Sequence, residues 1–173
     1  MTQLATLAGG CFWCTEAIFR RLRGVSKVTS GYTGGSVANP TYDQVCTGRT
    51  GHTEAIQIEY DENEVTYETI LEVFFALHDP TTINQQGADI GTQYRSVVFY
   101  HDDKQKSLAE KAKAESPGAV TAITPYTVFY PAEIDHQQYY EINQNAGYCS
   151  YVIAPKIHKL LEKYGTLIKP GYK

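Results

Sequence analysis

Segments with strand periodicity and segments with helical periodicity follow one another along the chain, and this order constrains the fold most. Residues 55–60 alternate apolar with polar side chains, as a strand does when one of its faces is buried. Residues 66–77 instead repeat apolar side chains at helical spacing, behind a capping threonine at Thr66. Elements mixed in this way predict that helices pack on a β-sheet, as in an α/β sandwich.

The rest of the chain continues the same mixture. Further strands are predicted at residues 4–7, 25–32, 94–100 and 127–130. Further helices are predicted at residues 11–23, 103–115 and 155–164. A capping box of Asp135 and Gln138 predicts a short helix between the last two of these. Two stretches, residues 36–52 and 78–92, carry turn residues without periodicity. We expect long loops there, and such loops in a small domain are usually functional.

Length and composition favour one globular domain over residues 1–173. Hydrophobic residues make up 42% and charged residues 20% of the chain, which is ordinary for a globular protein. The net charge of -4 and the lack of a basic stripe argue against a nucleic-acid partner. No apolar run is long enough to cross a membrane, and the first residues do not resemble a signal peptide. We therefore expect a cytoplasmic monomer.

The cysteine content points to thiol chemistry. Two of the four cysteines, Cys11 and Cys14, form a C-x-x-C pair behind two glycines, where a strand is predicted to meet a helix. A helix N-terminus favours the thiolate, so we predict a pKa for Cys11 below the ordinary value of about 8.5. Cys11 is therefore the candidate nucleophile. Position alone also fits two buried cysteines at a tight turn.

Other side chains could complete a site around Cys11. Phe12 and Trp13 lie next to it, and aromatic rings suit a thioether or its methyl group. Glu54 stands where the first predicted loop meets a strand, and burial would let its carboxyl group act as an acid. The second loop offers a carboxylate and a phenol, Asp89 and Tyr94.

Two other functions fit the C-x-x-C pair. A thioredoxin-like dithiol oxidoreductase would use Cys11 and Cys14 directly, with Pro125 as its facing proline, but the bulky residues between the cysteines argue against it. A structural zinc module needs four ligands, and Cys46 and Cys149 form no second close pair.

An ordered series of motifs resembles the methionine sulfoxide reductase A family. Gly-Cys-Phe-Trp at residues 10–13 is similar to the active-site motif of that family. Five segments that match it follow in the same order: residues 31–35, 39–42, 51–54, 78–81 and 89–95. The run His-Gln-Gln-Tyr at residues 136–139 matches as well. The matches span roughly residues 7 to 155, so the resemblance covers nearly the whole chain.

The resemblance implies both a fold and a reaction. The fold is a two-layer α/β sandwich with a ferredoxin-like βαββαβ core. The substrate is the S epimer of methionine sulfoxide, free or in a protein, and thioredoxin is the usual reductant. Attack by a thiolate on the protonated sulfoxide would leave a cysteine sulfenic acid, and a second thiol would convert it to a disulfide. This chemistry needs no metal or organic cofactor.

The resemblance also assigns roles to residues. Cys11 would be the nucleophile, and Phe12 and Trp13 would contact the substrate methyl group. Glu54 would donate a proton to the sulfoxide oxygen. The polar shell around that oxygen would be completed by Tyr42, Asp89 and Tyr94.

The chain departs from the family pattern in two places. Cys14 occupies a position where many members have glycine, and Ala88 stands where they often have asparagine. Cys149 matches the C-terminal recycling cysteine of many members. Two resolving cysteines, Cys149 and Cys14, are therefore available, and we expect Cys149 to be the main one because its segment is predicted to be irregular and mobile.

Overall fold

The computed structural model describes residues 1–172. Its strands are β1 (Thr2–Gly9), β2 (Val25–Thr33), β3 (Thr53–Asp61), β4 (Gln85–Gln86), β5 (Asp89–Ile90), β6 (Ser96–Tyr100), β7 (Ala122–Pro125) and β8 (Phe129–Pro131). Its α-helices are α1 (Phe12–Phe19), α2 (Tyr42–Cys46), α3 (Tyr67–Leu77), α4 (Asp103–Ala114), α5 (Tyr139–Ile142) and α6 (Ala154–Tyr164). No helix among these residues is long and apolar enough to cross a bilayer.

Six of the strands form one sheet in the order β7-β6-β1-β3-β2-β8, and β4 and β5 pair separately. The neighbours in the sheet are antiparallel except for β6 and β7. The inner order β6-β1-β3-β2, with α1 and α3 as the connections, is the ferredoxin-like βαββαβ arrangement. The predicted mixed α+β fold is therefore confirmed, and β7 and β8 extend it at its two edges.

The main core lies between the sheet and its helices. Fully buried side chains such as Leu7, Ile56 and Ile58 on the sheet pack with Phe19 and Ile70 on the helices. A smaller cluster on the opposite face of the sheet is covered by aromatic side chains of the 126–129 segment. One well-covered face and one thinly covered face give the predicted two-layer arrangement.

Local signals place α3, α4 and α6 correctly. The Thr66 hydroxyl caps α3 by accepting the backbone N–H of Thr69, and the Asp102 carboxylate caps α4 in the same way. α6 ends before Gly165, as its apolar periodicity predicts. These boundaries depend on contacts within a few residues, so the sequence is sufficient to fix them.

The first helix is shorter than predicted. We expected it to run to Arg23, but α1 ends at Phe19. The following residues pair instead with the C-terminal segment: the Arg23 N–H donates to the Leu167 carbonyl, and Leu22 forms a bridge with Ile168. These long-range hydrogen bonds outweigh the preference of the arginines for a final helical turn.

The loop predictions also need correction. The first loop contains α2, which begins behind a capping box of Thr41 and Gln44. The second contains the short β4–β5 hairpin. The parallel strand β7 was missed because its four residues show no alternation of burial.

The predicted capping box of Asp135 and Gln138 is wrong. Gln138 adopts the left-handed conformation, with φ of +53°, and α5 begins only after it. The reason is tertiary, since neighbouring elements bind the backbone of this residue, as described below.

Candidate active site

Cys11 lies at the junction that the sequence predicts. β1 ends at Gly9, and Cys11 is the extended residue that precedes the first turn of α1. Gly10 connects the two with a φ of +95°, and a side chain there would collide with Gln86. Only glycine therefore allows the backbone to turn from β1 into α1 beneath the Gln86 side chain. The Cys11 side chain is 7% exposed at the helix N-terminus.

The pKa of Cys11 does not follow the prediction. Burial raises the pKa of the Cys11 thiol above its ordinary value, and its hydrogen bond to Cys14 and the nearby Glu54 act in the same direction. That hydrogen bond lowers the pKa of Cys14 to about 7. Burial therefore outweighs the helix N-terminus at Cys11, and Cys14 is the thiol of the pair whose pKa is lowered.

Glu54 is a buried acid next to the nucleophile. Its side chain is 1% exposed, and its Oε1 accepts the backbone N–H of Phe12 over 3.1 Å. Its other oxygen has no hydrogen-bond partner among residues 1–172. Burial raises the pKa of Glu54 to about 8, although the Phe12 N–H and the Cys11 thiol, which is within hydrogen-bonding range, oppose the shift. Burial therefore favours the protonated form of this carboxyl group at neutral pH.

Two tyrosines lie near that carboxyl group. Burial raises the pKa of both Tyr42 and Tyr94, and the charge of Glu54 is the next cause for each. Both phenols therefore stay protonated and can donate hydrogen bonds. Tyr42 is fixed at the start of α2, where its N–H donates to Glu133 over 2.9 Å.

Asp89 enters the site through a residue that the sequence reasoning missed. The hydroxyl group of Tyr148 donates to the Asp89 carboxylate over 2.6 Å. The same hydroxyl lies 3.7 Å from the Cys14 sulfur. Asp89 thus fixes a phenol against the second cysteine. The only signal that could have indicated Tyr148 is its position directly before Cys149, which matches the recycling cysteine of the family.

Of the two aromatic residues next to Cys11, Phe12 belongs to the core and Trp13 faces the site. Phe12 is fully buried and packs on Tyr32, with ring centroids 5.7 Å apart. Trp13 is only partly buried and stacks on Tyr139, with centroids 3.7 Å apart. Its indole N–H donates to Nδ1 of His136 over 3.2 Å. Trp13 therefore presents a fixed aromatic surface beside the nucleophile.

His136 and Tyr139 were not among the predicted site residues. They lie at the two ends of the matching run at residues 136–139, which carried no assigned role. His136 also lies 4.2 Å from Tyr42, centroid to centroid. This segment therefore joins the Trp13 side of the site to the Tyr42 side.

Three of the four cysteines belong to one buried cluster. Cys149 is fully buried and packs with Cys11 and Cys14 against Ile153 and Ile157. The segment of Cys149 was predicted to be irregular from Asn143 to Ser150, and this is wrong at its end, because Cys149–Ile153 form a π-helical turn that continues into α6. π-turns are frequent at functional sites.

The fourth cysteine lies apart from this cluster. Cys46, to which the sequence gives no role, is exposed at the end of α2. Within residues 1–172, no group of three or more His, Cys, Asp or Glu side chains is arranged to hold a metal ion.

Comparison with known proteins gives a consistent result. The family model described as peptide methionine sulfoxide reductase matches residues 3–167. A protein of Acinetobacter baumannii (strain SDF) named peptide methionine sulfoxide reductase MsrA is 53% identical over 171 residues, covering 96% of this chain and 98% of its own.

Solved structures agree with this match. The reduced form of Mxr1 from Saccharomyces cerevisiae superposes with a TM-score of 0.79 at 36% identity, covering 86% of this chain and 89% of its own. Mxr1 in complex with Trx2 gives a TM-score of 0.54 at 28% identity, covering 80% and 84% of the two chains.

Proposed function

Because the chain belongs to the peptide methionine sulfoxide reductase family, we propose that it reduces the S epimer of methionine sulfoxide, free or in proteins, to methionine. One observation carries the proposal: the Glu54 carboxyl group is buried beside Cys11, with one oxygen bound by the Phe12 N–H and the other without a partner within residues 1–172, and burial raises its pKa to about 8. A proton donor beside a thiol is what reduction of a sulfoxide requires, because the oxygen leaves poorly until it is protonated.

The surroundings of Cys11 support a binding mode. The sulfoxide oxygen is directed to Glu54, with the protonated Tyr42 and Tyr94 as further donors. The substrate methyl group contacts the indole of Trp13, since sulfur and its methyl substituents pack well on aromatic rings. Phe12 supports this surface from the core and supplies the N–H that orients Glu54.

The first chemical step transfers oxygen between two sulfur atoms. The Cys11 sulfur attacks the sulfoxide sulfur while Glu54 protonates the oxygen, and the Cys11 proton passes to the Cys14 thiolate. Methionine leaves, reduced by two electrons, and Cys11 is oxidised by two electrons to the sulfenic acid.

Regeneration uses the two other buried cysteines. The sequence favours Cys149 as the main resolving cysteine, but Cys14 is hydrogen-bonded to Cys11, so we propose that Cys14 reacts first. Its sulfur attacks the Cys11 sulfenic acid, and the hydroxyl group leaves as water with the proton that Cys14 had accepted. Cys149, which packs in the same cluster, then attacks Cys14 and releases Cys11. Thioredoxin reduces the disulfide between Cys14 and Cys149. The solved complex of the similar yeast Mxr1 with Trx2 supports this partner.

The proposal also covers the domain organisation, the oligomeric state and the cellular location of the protein. The whole chain acts as one catalytic domain and a monomer, in the cytoplasm, where thiols are kept reduced. The family match over residues 3–167 supports the single domain. Size-exclusion chromatography and cell fractionation test the other two statements, and a dimer or a secreted protein would contradict them.

The decisive test is an assay on separated epimers. The purified protein is given S or R methionine sulfoxide with dithiothreitol, and then with thioredoxin, its reductase and NADPH. We expect turnover of the S epimer alone, with both reductants, and none by Cys11→Ser. Turnover of the R epimer would contradict the stereochemistry. Reduction of insulin disulfides without sulfoxide turnover would favour the thioredoxin-like alternative.

A further inference from the structure

A second buried glutamate on α1 has no part in the steps above. Glu16 is 3% exposed and lies one helical turn after Trp13. Its Oε2 accepts two hydrogen bonds, from the Ser30 hydroxyl over 3.0 Å and from the backbone N–H of Gln138 over 3.1 Å. A buried carboxyl group is costly unless it is hydrogen-bonded, so these contacts hold it in one geometry.

The Gln138 backbone needs that acceptor. With a φ of +53° it adopts a conformation that is unfavourable for residues other than glycine. The residue before it is bound as well: the Gln137 side-chain amide donates to the Ser30 carbonyl over 2.8 Å and accepts the Ser30 N–H over 2.9 Å. Glu16 and Ser30 therefore hold the turn at residues 137–138 from two elements, α1 and β2.

The turn carries the two rings that fix Trp13. His136 precedes it and accepts the indole N–H, and Tyr139 follows it and stacks on the indole. We propose that Glu16 is a positioning residue that fixes the Trp13 surface of the substrate pocket by holding the Gln138 backbone. The inference rests on the proposed function for its kinetic consequence, but the geometry of Trp13 can be measured without substrate.

The charge of Glu16 gives this role a pH dependence. Burial raises the pKa of Glu16 to about 7, against the hydrogen bonds of Ser30 and Gln138 and the Arg20 guanidinium 3.8 Å away, while Glu141 on α5 raises it further. Above this pH the carboxylate is the stronger acceptor. Below it, the protonated group holds Gln138 less firmly. The environment of Trp13 is therefore expected to change around neutral pH.

Kinetics with matched variants test the positioning. Glu16→Ala removes the acceptor, whereas Glu16→Gln keeps an amide oxygen that can replace it. For Glu16→Ala we expect KM for methionine sulfoxide to rise about tenfold, the loss typical of one hydrogen bond to a charged group, with kcat little changed. In Glu16→Gln, KM should stay close to the wild-type value. Glu110→Ala, which removes an exposed glutamate from α4, is the control and should leave KM unchanged.

The fluorescence of Trp13, the single tryptophan of the chain, gives an independent readout in the free protein. Glu16→Ala should shift its emission to the red and increase quenching by acrylamide. In a Cys14→Ser/Glu54→Gln background, which removes the neighbouring thiol and acid whose pKa values are about 7 and 8, emission should titrate near pH 7, and the added change Glu16→Gln should abolish that titration.

Unchanged emission and KM in folded Glu16→Ala would overturn the proposal, and so would a loss of kcat at constant KM. If Glu16→Ala does not fold, the proposal is overturned when the titration of Trp13 emission near pH 7 survives in Glu16→Gln. Wild-type protein without sulfoxide turnover would contradict the proposed function alone, since the fluorescence result does not depend on it.

Discussion

The backbone N–H of Phe12 donates to Oε1 of Glu54 over 3.1 Å, joining two residues that lie 42 positions apart in the chain. The donor belongs to the first residue of α1, directly after Cys11, and the acceptor to the second residue of β3. The helix N-terminus thus orients the acid rather than the thiol. It binds one carboxyl oxygen, while the other is buried without a hydrogen-bond partner within residues 1–172.

Glu54→Gln should slow the formation of the sulfenic acid far more than it weakens substrate binding. The amide can still accept the Phe12 N–H and donate a hydrogen bond, but it cannot release a proton. We expect a loss of about 10²–10⁴-fold in the single-turnover rate, which is typical when a general acid is removed. Rapid-quench measurement of methionine formation checks this. A rate within a few-fold of wild type would exclude the acid role.

The same variant should change how stability depends on pH. The folded-state pKa of Glu54, about 8, lies above its ordinary value near 4.5, so the folded protein binds more protons than the unfolded chain between these values. Wild-type stability therefore loses this contribution as pH rises from about 4.5 to 8. Glu54→Gln has no such proton uptake, so its melting temperature relative to wild type should be higher at pH 8 than at pH 5. A constant difference between the two pH values would show that Glu54 is not shifted.

Cys11→Ser should abolish turnover while leaving the fold intact. A serine hydroxyl forms almost no alkoxide at neutral pH, and the site is built around a sulfur that accepts oxygen. The assay is dithiol-dependent reduction of the S epimer, with thermal unfolding to confirm the fold. Cys46→Ser, which changes an exposed cysteine outside the buried cluster and keeps a hydroxyl group for its contact with Tyr42, is the matched control and should stay active. Appreciable turnover in Cys11→Ser would place the nucleophile elsewhere.

The order of disulfide formation can be mapped directly. Protein oxidised by one equivalent of substrate, with its thiols trapped at once, should show the Cys11–Cys14 link first. Cys149→Ser should accumulate that link and lose cycling with thioredoxin, yet still release one equivalent of methionine. Cys14→Ser should form Cys11–Cys149 more slowly, because the π-turn that buries Cys149 has to open. If the first disulfide in the wild type joins Cys11 to Cys149, the predicted order of disulfide formation is wrong.

Features set by nearby residues were predictable. The alternation in β3 and the Thr66 cap of α3 placed those elements within a few residues of their observed bounds. The motif at residues 9–14 placed Cys11 correctly at a strand–helix junction. Each of these depends on periodicity or on a cap three residues away, and such information is contained in a short window of sequence.

Features set by distant contacts were not predictable from the residues alone. β7 has no alternation of its own and is a strand because β6 lies beside it. α1 stops early because the C-terminal segment binds the residues after it. Gln138 was interpreted as part of a helix cap, whereas Glu16 and Ser30 hold its neighbourhood in another conformation.

The sequence by itself determined the chemical groups of this protein: a nucleophilic thiol at a helix start, two further thiols, a carboxyl group and several phenols. The tertiary structure decided how these groups ionise. A helix N-terminus alone predicted a low pKa for Cys11, but burial beside Cys14 and Glu54 raises it, and the pKa of Cys14 is lowered instead. A pKa depends on solvent exclusion and on charges from every neighbouring element, and those neighbours come together only when the chain folds.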